Sequence, residues 1–348
     1  MTDVDAVAGK VVEELGVTLA TLTTALGVRT GMWAALAGAG PLTAQELAER
    51  TGTAPALARE WCRTQAAGGY LRLDGERGER YVLPDEVAAV LVHGPMGALV
   101  DAATTMLTAT AVRFDAFTEA FASGRGFGWE ERADEHWHGV DRFTRAAMAP
   151  EFLAAAVEGC GVGDALRAGG SLLDVGCGQG APTLMIAEAF PAARVTGCDF
   201  HDASIAAARK AAAHAGLTDR VRFEVATAKR APGGDYALVV FVDSLHDLGD
   251  PVGALTRARE LLAPDGAVLL LEPRGADSVA DNLNPAGRMF YAVSTMFCTP
   301  TALAQEGTAL GTLAGPALLT EVAGAAGFTR VRPVPVEAPF NLVLELRP

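Results

Sequence analysis

The stretch LLDVGCGQGAPTLMIAEAFPAARVTGCDF, from Leu172 to Phe200, constrains this chain more than any other. An apolar run reaches Asp174, Gly176, Gly178 and Gly180 lead into a helical pattern, and a second apolar run ends at Asp199. That order specifies strand, glycine-rich turn, helix and strand. Glycine lacks a Cβ, so such a turn brings backbone N–H groups close to a ligand at the start of the following helix. A carboxylate closing the next strand can accept hydrogen bonds from both ribose hydroxyls. Two cofactor classes use this geometry: dinucleotides, which set a pyrophosphate in the turn, and S-adenosylmethionine, which lacks phosphate and carries an ammonium and a sulfonium. Asp174 discriminates between them, because a carboxylate there repels a pyrophosphate and attracts a cation. S-adenosylmethionine is the expected cofactor.

The rest of the second half fits that unit. Strands are expected at 171–175, 194–199, 221–225, 236–242 and 266–272, with helices at 181–190, 202–215, 251–262 and 316–326 and terminal strands near 330 and 341. Continuous apolar strands such as ALVVFV and AVLLLE are what a parallel sheet covered on both faces requires. The fold class is therefore α/β, a doubly wound Rossmann-like sheet, with a mainly helical N-terminal domain. Residues 276–315 are too long for an ordinary connection and read as a partly helical lid over the sheet. Nearer the start, PLTAQELAERTG carries a helix-start signature in which Thr43 caps the backbone and Glu46 reaches back. A second helix and the hairpin pattern YLRLDGERGERYVL complete a winged helix. The expected organisation is a winged-helix domain over 1–95, connecting helices for dimerisation or substrate cover over 96–160, and a cofactor-binding domain over 161–348.

Charge narrows the partners. The 348 residues carry 28 Lys and Arg against 42 Asp and Glu, a formal charge of -14, which opposes the phosphate neutralisation that nucleic-acid binding needs. Residues 1–100 alone hold eight basic and twelve acidic side chains, so the winged helix is expected to dimerise or cover substrate rather than bind DNA. No basic segment followed by an apolar core opens the chain, and no unbroken apolar run approaches the roughly 20 residues of a membrane helix. A cytoplasmic location without membrane association is expected. Cys62, Cys160, Cys177, Cys198 and Cys298 are odd in number and scattered, which is the pattern of reduced, buried thiols rather than of disulfides or a zinc site.

On the stretches LLDVGCGQG, VTGCDF, FVDSLHDLGD, LLAPDGAVLLLEP and GAAGFTRVRPVPVEAPFNLVLELRP the chain resembles class I S-adenosylmethionine-dependent small-molecule methyltransferases with an N-terminal winged helix, the caffeate-type O-methyltransferases and their actinobacterial relatives. The resemblance implies that Asp174, Gly176, Cys177 and Gly178 meet the methionine end, Asp199 the ribose and Phe200 the adenine face, with Gly180 in the same cofactor-binding turn. Ala226 and Thr227 would meet the adenine edge, although many relatives carry Asp at the position of Thr227. Asp243 joins the same cofactor set. Together with the apolar helices before residue 123, the resemblance also implies a homodimer.

Methyl transfer is an in-line displacement at an activated carbon, so the protein mainly aligns the acceptor and removes a hydroxyl proton. FVDSLHDLGDP follows the fourth strand, at the sheet edge where ligands bind in open α/β folds. His246 is thereby placed as general base, and Glu272 matches the carboxylate that orients that histidine in the family. Relatives that methylate α-keto acids at carbon use the His-Asp pair as metal ligands with a later histidine. Here no histidine follows His246, so such a centre would need His136 or His138, and no metal is expected. Phe127, Trp129, Trp137, Asp247, Met289, Phe290 and Phe297 are candidate substrate contacts, whereas His93, His201 and His214 read as solvated. The expected reaction is methylation of a hydroxyl on a small, partly apolar metabolite. The alternatives are C- or N-methylation, metal-assisted on an α-keto acid, and a regulator that only senses S-adenosylmethionine.

Overall fold

The computed structural model describes residues 3–74, 79–338 and 340–348. The chain divides into two compact units, Met1–Ala109 with His138–Ala147, and Thr110–Trp137 with Met148–Pro348.

In the first unit, helices α1 (Asp3–Arg29), α2 (Met32–Leu36), α3 (Ala44–Thr51), α4 (Pro55–Ala67) and α5 (Asp85–Leu91) accompany a small antiparallel sheet. Its strands β1 (Leu42–Thr43), β2 (Arg72–Asp74) and β3 (Arg80–Val82) lie in the order β1-β3-β2. The turn between β2 and β3 lies outside the described residues. The expected cap forms: Thr43 Oγ1 accepts from the Glu46 N–H at 3.1 Å, and Glu46 Oε2 accepts from the Thr43 N–H at 2.7 Å. Trp33, Leu47, Trp61 and Tyr81 fill the core, with the two indoles edge to face at 4.7 Å. Helix α1 is apolar enough to cross a membrane by length and composition, with a mean hydropathy of 1.4 over 18 residues. Lys10, Glu13 and Glu14 hide this from a search for unbroken apolar runs.

Helix α6 (Met96–Ala111) and helix α8 (Asp134–Ala147) each run across the division between units; α7 (Phe114–Ser123), α9 (Pro150–Gly159) and α10 (Gly163–Arg167) belong to the second. There β4 (Ser171–Val175), α11 (Ala181–Ala189), β5 (Arg194–Asp199), α12 (Asp202–His214), β6 (Val221–Val225), β7 (Tyr236–Val242), α13 (Pro251–Glu260) and β8 (Leu262–Pro273) alternate. After them come α14 (Pro285–Val293), α15 (Thr299–Leu303), α16 (Gly315–Ala325), β9 (Arg330–Pro333) and β10 (Asn341–Arg347). The seven-stranded sheet has the order β6-β5-β4-β7-β8-β10-β9. Its first five strands are parallel, and β10 runs antiparallel to β8 and β9.

Successive strand residues feed opposite layers. Leu172, Leu238, Val240 and Leu269 enter one cluster, while Leu173, Val239, Phe241 and Leu270 enter the other. Both faces are covered, which is why these strands read as unbroken apolar runs. Order reverses between β4 and β7, and there the carboxyl ends of neighbouring strands open a crevice. Leu238 is fully buried and Leu57 is 71% exposed. Leu238→Ala is expected to cost about 2–5 kcal/mol in urea unfolding, and Leu57→Ala less than about 0.5 kcal/mol.

Candidate cofactor and catalytic site

Asp174, at the end of β4, is buried. The Thr183 hydroxyl donates to its Oδ2 at 2.5 Å, and its Oδ1 is buried without a hydrogen-bond partner. Burial, reinforced by the Asp199 charge and opposed by the Thr183 bond, pushes this carboxyl up to about 7. Such a group gains from a cation or a donor placed at Oδ1.

The glycine turn departs from the sequence reading. The N–H groups of Gly176 and Cys177 donate to Cys198 O at 2.8 and 3.1 Å, and that of Gly180 to Cys177 O at 2.8 Å. Gly178 N–H donates to Asp199 Oδ2 at 3.0 Å. These donors tie the turn to β5 and to itself instead of pointing at a ligand, which removes the cradle a pyrophosphate needs. At Gly178 (φ +51) a Cβ would meet open space, whereas at Gly180 (φ +84) it would strike the Phe223 ring at 2.7 Å. Gly178 thus leaves room in the crevice, while Gly180 allows close packing below it. The Cys177 side chain is buried in the core, so only its backbone is available to a ligand.

Asp199 also accepts from His201 N–H at 2.9 Å, and burial raises its carboxyl despite the two backbone donors. Beyond it a cavity of about 430 Å³ is lined by Trp129, Glu130, Phe200, His201, Thr301 and Gln305 among others. His201, expected at the surface, is buried: it caps α12 through Ser204 and packs against Trp137 at 4.1 Å. Ala226 N–H donates to Asp199 O at 2.9 Å, which sets the start of the exposed Thr227 loop beside the same strand end.

The second cluster follows β7. Asp243 adopts φ +47, one of three non-glycine residues at positive φ among those described, a conformation Asp tolerates better than most residues. Asn341 Nδ2 donates to its Oδ1 at 2.8 Å, and burial with the Glu272 charge pushes Asp243 up to about 7. Glu272 is buried with both oxygens engaged: Leu245 N–H donates to Oε1 at 3.0 Å, and His246 Nδ1 lies 2.5 Å from Oε2. His246 Nε2 is 3.5 Å from Asp247 Oδ1. Burial pulls the imidazole down, but the Glu272 and Asp247 charges outweigh it and hold His246 well above its ordinary value. Cys298 Sγ completes the cluster within hydrogen-bonding reach of the ring.

The remaining candidates separate. Phe127 is 1% exposed and packs edge to face on Phe117, so it belongs to the core and not to a pocket wall. Phe297 lies 5.0 Å from His136, which itself stands edge-on to Trp129. Trp137 Nε1 donates to Trp129 O at 3.0 Å. Met289 is 49% exposed and Phe290 partly buried on α14. The sequence reading missed Thr183, Arg132, Asn341 and Cys298. Thr183 and Asn341 lie inside stretches already singled out, but nothing in those stretches marks their hydrogen bonds to Asp174 and Asp243, while Arg132 and Cys298 meet partners distant in sequence.

Residues 173–268 match the family described as "Methyltransferase domain", and residues 18–93 the "Rv2258c-like winged HTH domain". The chain is 32% identical over 139 residues to 27-O-demethylrifamycin SV methyltransferase of Amycolatopsis mediterranei, covering 38% of this chain and 51% of that protein. It is 35% identical over 116 residues to trans-aconitate 2-methyltransferase of Streptomyces avermitilis, covering 32% and 42%. These alignments span about half or less of the curated relatives. Two solved structures share the fold along the chain: mitomycin 7-O-methyltransferase MmcR, with a TM-score of 0.67, 19% identity and 100% coverage of both chains, and human N-acetylserotonin methyltransferase, with 0.70, 14%, and 100% and 98%. The chain thus carries a methyltransferase domain preceded by a winged-helix domain. Its second unit places Asp174, Asp199 and Glu272 at or near the carboxyl ends of parallel strands of the seven-stranded sheet.

Asp174 supplies a test of the electrostatics. A carboxyl raised from 3.8 to about 7 on folding stabilises the protein fully below the unfolded value, and that contribution is lost as pH rises through about 7. In ligand-free protein, Asp174→Asn, whose amide oxygen still accepts from Thr183, is expected to be more stable than wild type by about 2–4 kcal/mol near pH 8. The gap should shrink toward about pH 4 in denaturant unfolding at each pH.

Proposed function

We propose that this protein is an S-adenosylmethionine-dependent enzyme that methylates a hydroxyl oxygen of a small, partly apolar metabolite. The observation that carries the reading is the buried, unpartnered Asp174 Oδ1 beside a turn whose N–H donors are consumed internally. A phosphate there meets a carboxylate and finds the N–H groups of Gly176, Cys177, Gly178 and Gly180 already engaged, whereas a cationic ligand is attracted. Asp174 and the backbone at Gly176, Cys177 and Gly178 would hold the methionine end, and Asp199 the ribose. Phe200, Ala226 and Thr227 would bound the adenine, and Asp243 would close the far side. When bound, S-adenosylmethionine supplies a methyl group on a sulfonium, already activated for displacement.

The protein's own task is alignment and proton removal. Glu272 fixes the His246 ring through Nδ1, leaving Nε2 to take the acceptor's proton. His246 sheds an Nε2 proton more readily when positive charge enters the crevice, since like charges disfavour the imidazolium. Trp129, Trp137 and Phe297 would wall the acceptor side together with Asp247, and Met289 and Phe290 would cover it. Relatives named for rifamycin, mitomycin and N-acetylserotonin substrates support a small-metabolite acceptor. His246→Ala is expected to lower kcat by about 10²–10⁴ with S-adenosylmethionine affinity unchanged. An unchanged rate with a hydroxyl acceptor would exclude His246 as the base.

The reading includes a cytoplasmic homodimer. Val4, Val7, Val11, Leu15 and Leu19 of α1 are all more than half exposed, an apolar surface larger than scattered single residues explain. Sedimentation is expected to give a dimer, and deletion of residues 1–20 a monomer. A monomeric full-length chain would contradict it.

A further inference from the structure

We propose that His246, Asp247 and Cys298 form a three-ligand site for a borderline divalent cation, zinc first among them. The sequence offered no such site, because it lacks a second histidine after His246 and its cysteines are scattered. The fold supplies what spacing concealed. One ligand atom from each of the three residues falls within 4.8 Å of the other two. The Nε2 to Asp247 Oδ1 distance of 3.5 Å is close to the edge of about 3.3–3.4 Å that a tetrahedron with bonds of about 2.0–2.1 Å requires.

Three further observations point to a bound ion. Asp247 Oδ1 is buried and makes no hydrogen bond. His246 donates its other nitrogen's proton toward Glu272, the carboxylate-histidine arrangement that orients a metal-ligating imidazole. Cys298 closes a π-helical turn, Ser294–Cys298, on the lid insertion, and such turns concentrate at functional sites. Arg132 holds that turn, donating to the carbonyls of Met296 at 3.5 Å and Phe297 at 3.0 Å from a guanidinium packed by Phe127 and Phe297.

Imidazole, carboxylate and thiolate together neutralise a divalent charge, and the sulfur favours zinc or cobalt over magnesium or calcium. Three protein ligands leave a fourth position open, as in catalytic zinc sites. An acceptor oxygen placed there would lose its proton to solvent more easily, as zinc-bound water does. An occupied site would thus replace proton uptake at Nε2 with Lewis-acid activation of the same oxygen. The inference rests on the same acceptor site but replaces the base role proposed for Nε2, and coordination can be measured without methyl transfer.

The test is titration of chelator-treated full-length protein with cobalt(II). One ion per chain is expected, with a thiolate-to-cobalt charge-transfer band in the near ultraviolet. Cys298→Ser should abolish the band, and Cys62→Ser should leave it intact. Cys298→His should retain one-to-one binding by calorimetry without the band, which shows that loss in the serine variant is not misfolding. Glu272→Gln should weaken cobalt binding by about 10–100-fold. A wild-type protein without the band, or a band that survives Cys298→Ser, overturns the proposal.

Discussion

A carboxylate buried at the end of the first sheet strand, with one oxygen held and the other unpartnered, is the constraint on which the site depends. Thr183 on α11 fixes Asp174 Oδ2, which leaves Oδ1 buried without a hydrogen-bond partner. Burial has driven this group up to about 7 in the ligand-free protein. The fold therefore holds a charge site in a costly state that a cationic ligand relieves. The turn that follows spends the N–H groups of Gly176, Cys177 and Gly178 on Cys198 and Asp199, which ties it to β5. A single sequence pattern, acid then glycines, has one electrostatic outcome once these bonds are drawn.

The second constraint is the Glu272 anchor. Both its oxygens are used, one by the Leu245 backbone and one by His246, so the imidazole direction is set by the sheet through β8 and not by a mobile loop. Asp243, in its left-handed conformation and tied to Asn341 on β10, begins the turn that carries His246 back toward β8. The antiparallel C-terminal strand thus contributes to the same edge through Asn341.

The parallel sheet was legible because its period is enforced twice, by strand alternation and by burial on both faces. Strands at 171–175, 194–199, 221–225 and 236–242 fall at the expected residues. Asp174, Asp199, His246 and Glu272 were legible for the same reason: each ends or closely follows such a strand. What escaped reading depends on contacts between distant segments. Cys298 looked like one more scattered thiol until the helical segment after β8 brought it to His246, and His201 looked solvated until Trp137 covered it. The N–H directions in the glycine turn are equally invisible in sequence, since the same residues can face a ligand or the neighbouring strand.

Calorimetric titration of S-adenosylmethionine at a series of pH values tests the central claim most directly. If a cation is bound by the ionised Asp174 carboxylate, affinity must rise as pH passes through about 7, with protons released on binding below it. Asp174→Asn should bind more weakly and flatten the rise. Affinity independent of both pH and residue 174, or binding of a nicotinamide dinucleotide in place of S-adenosylmethionine, would contradict the account.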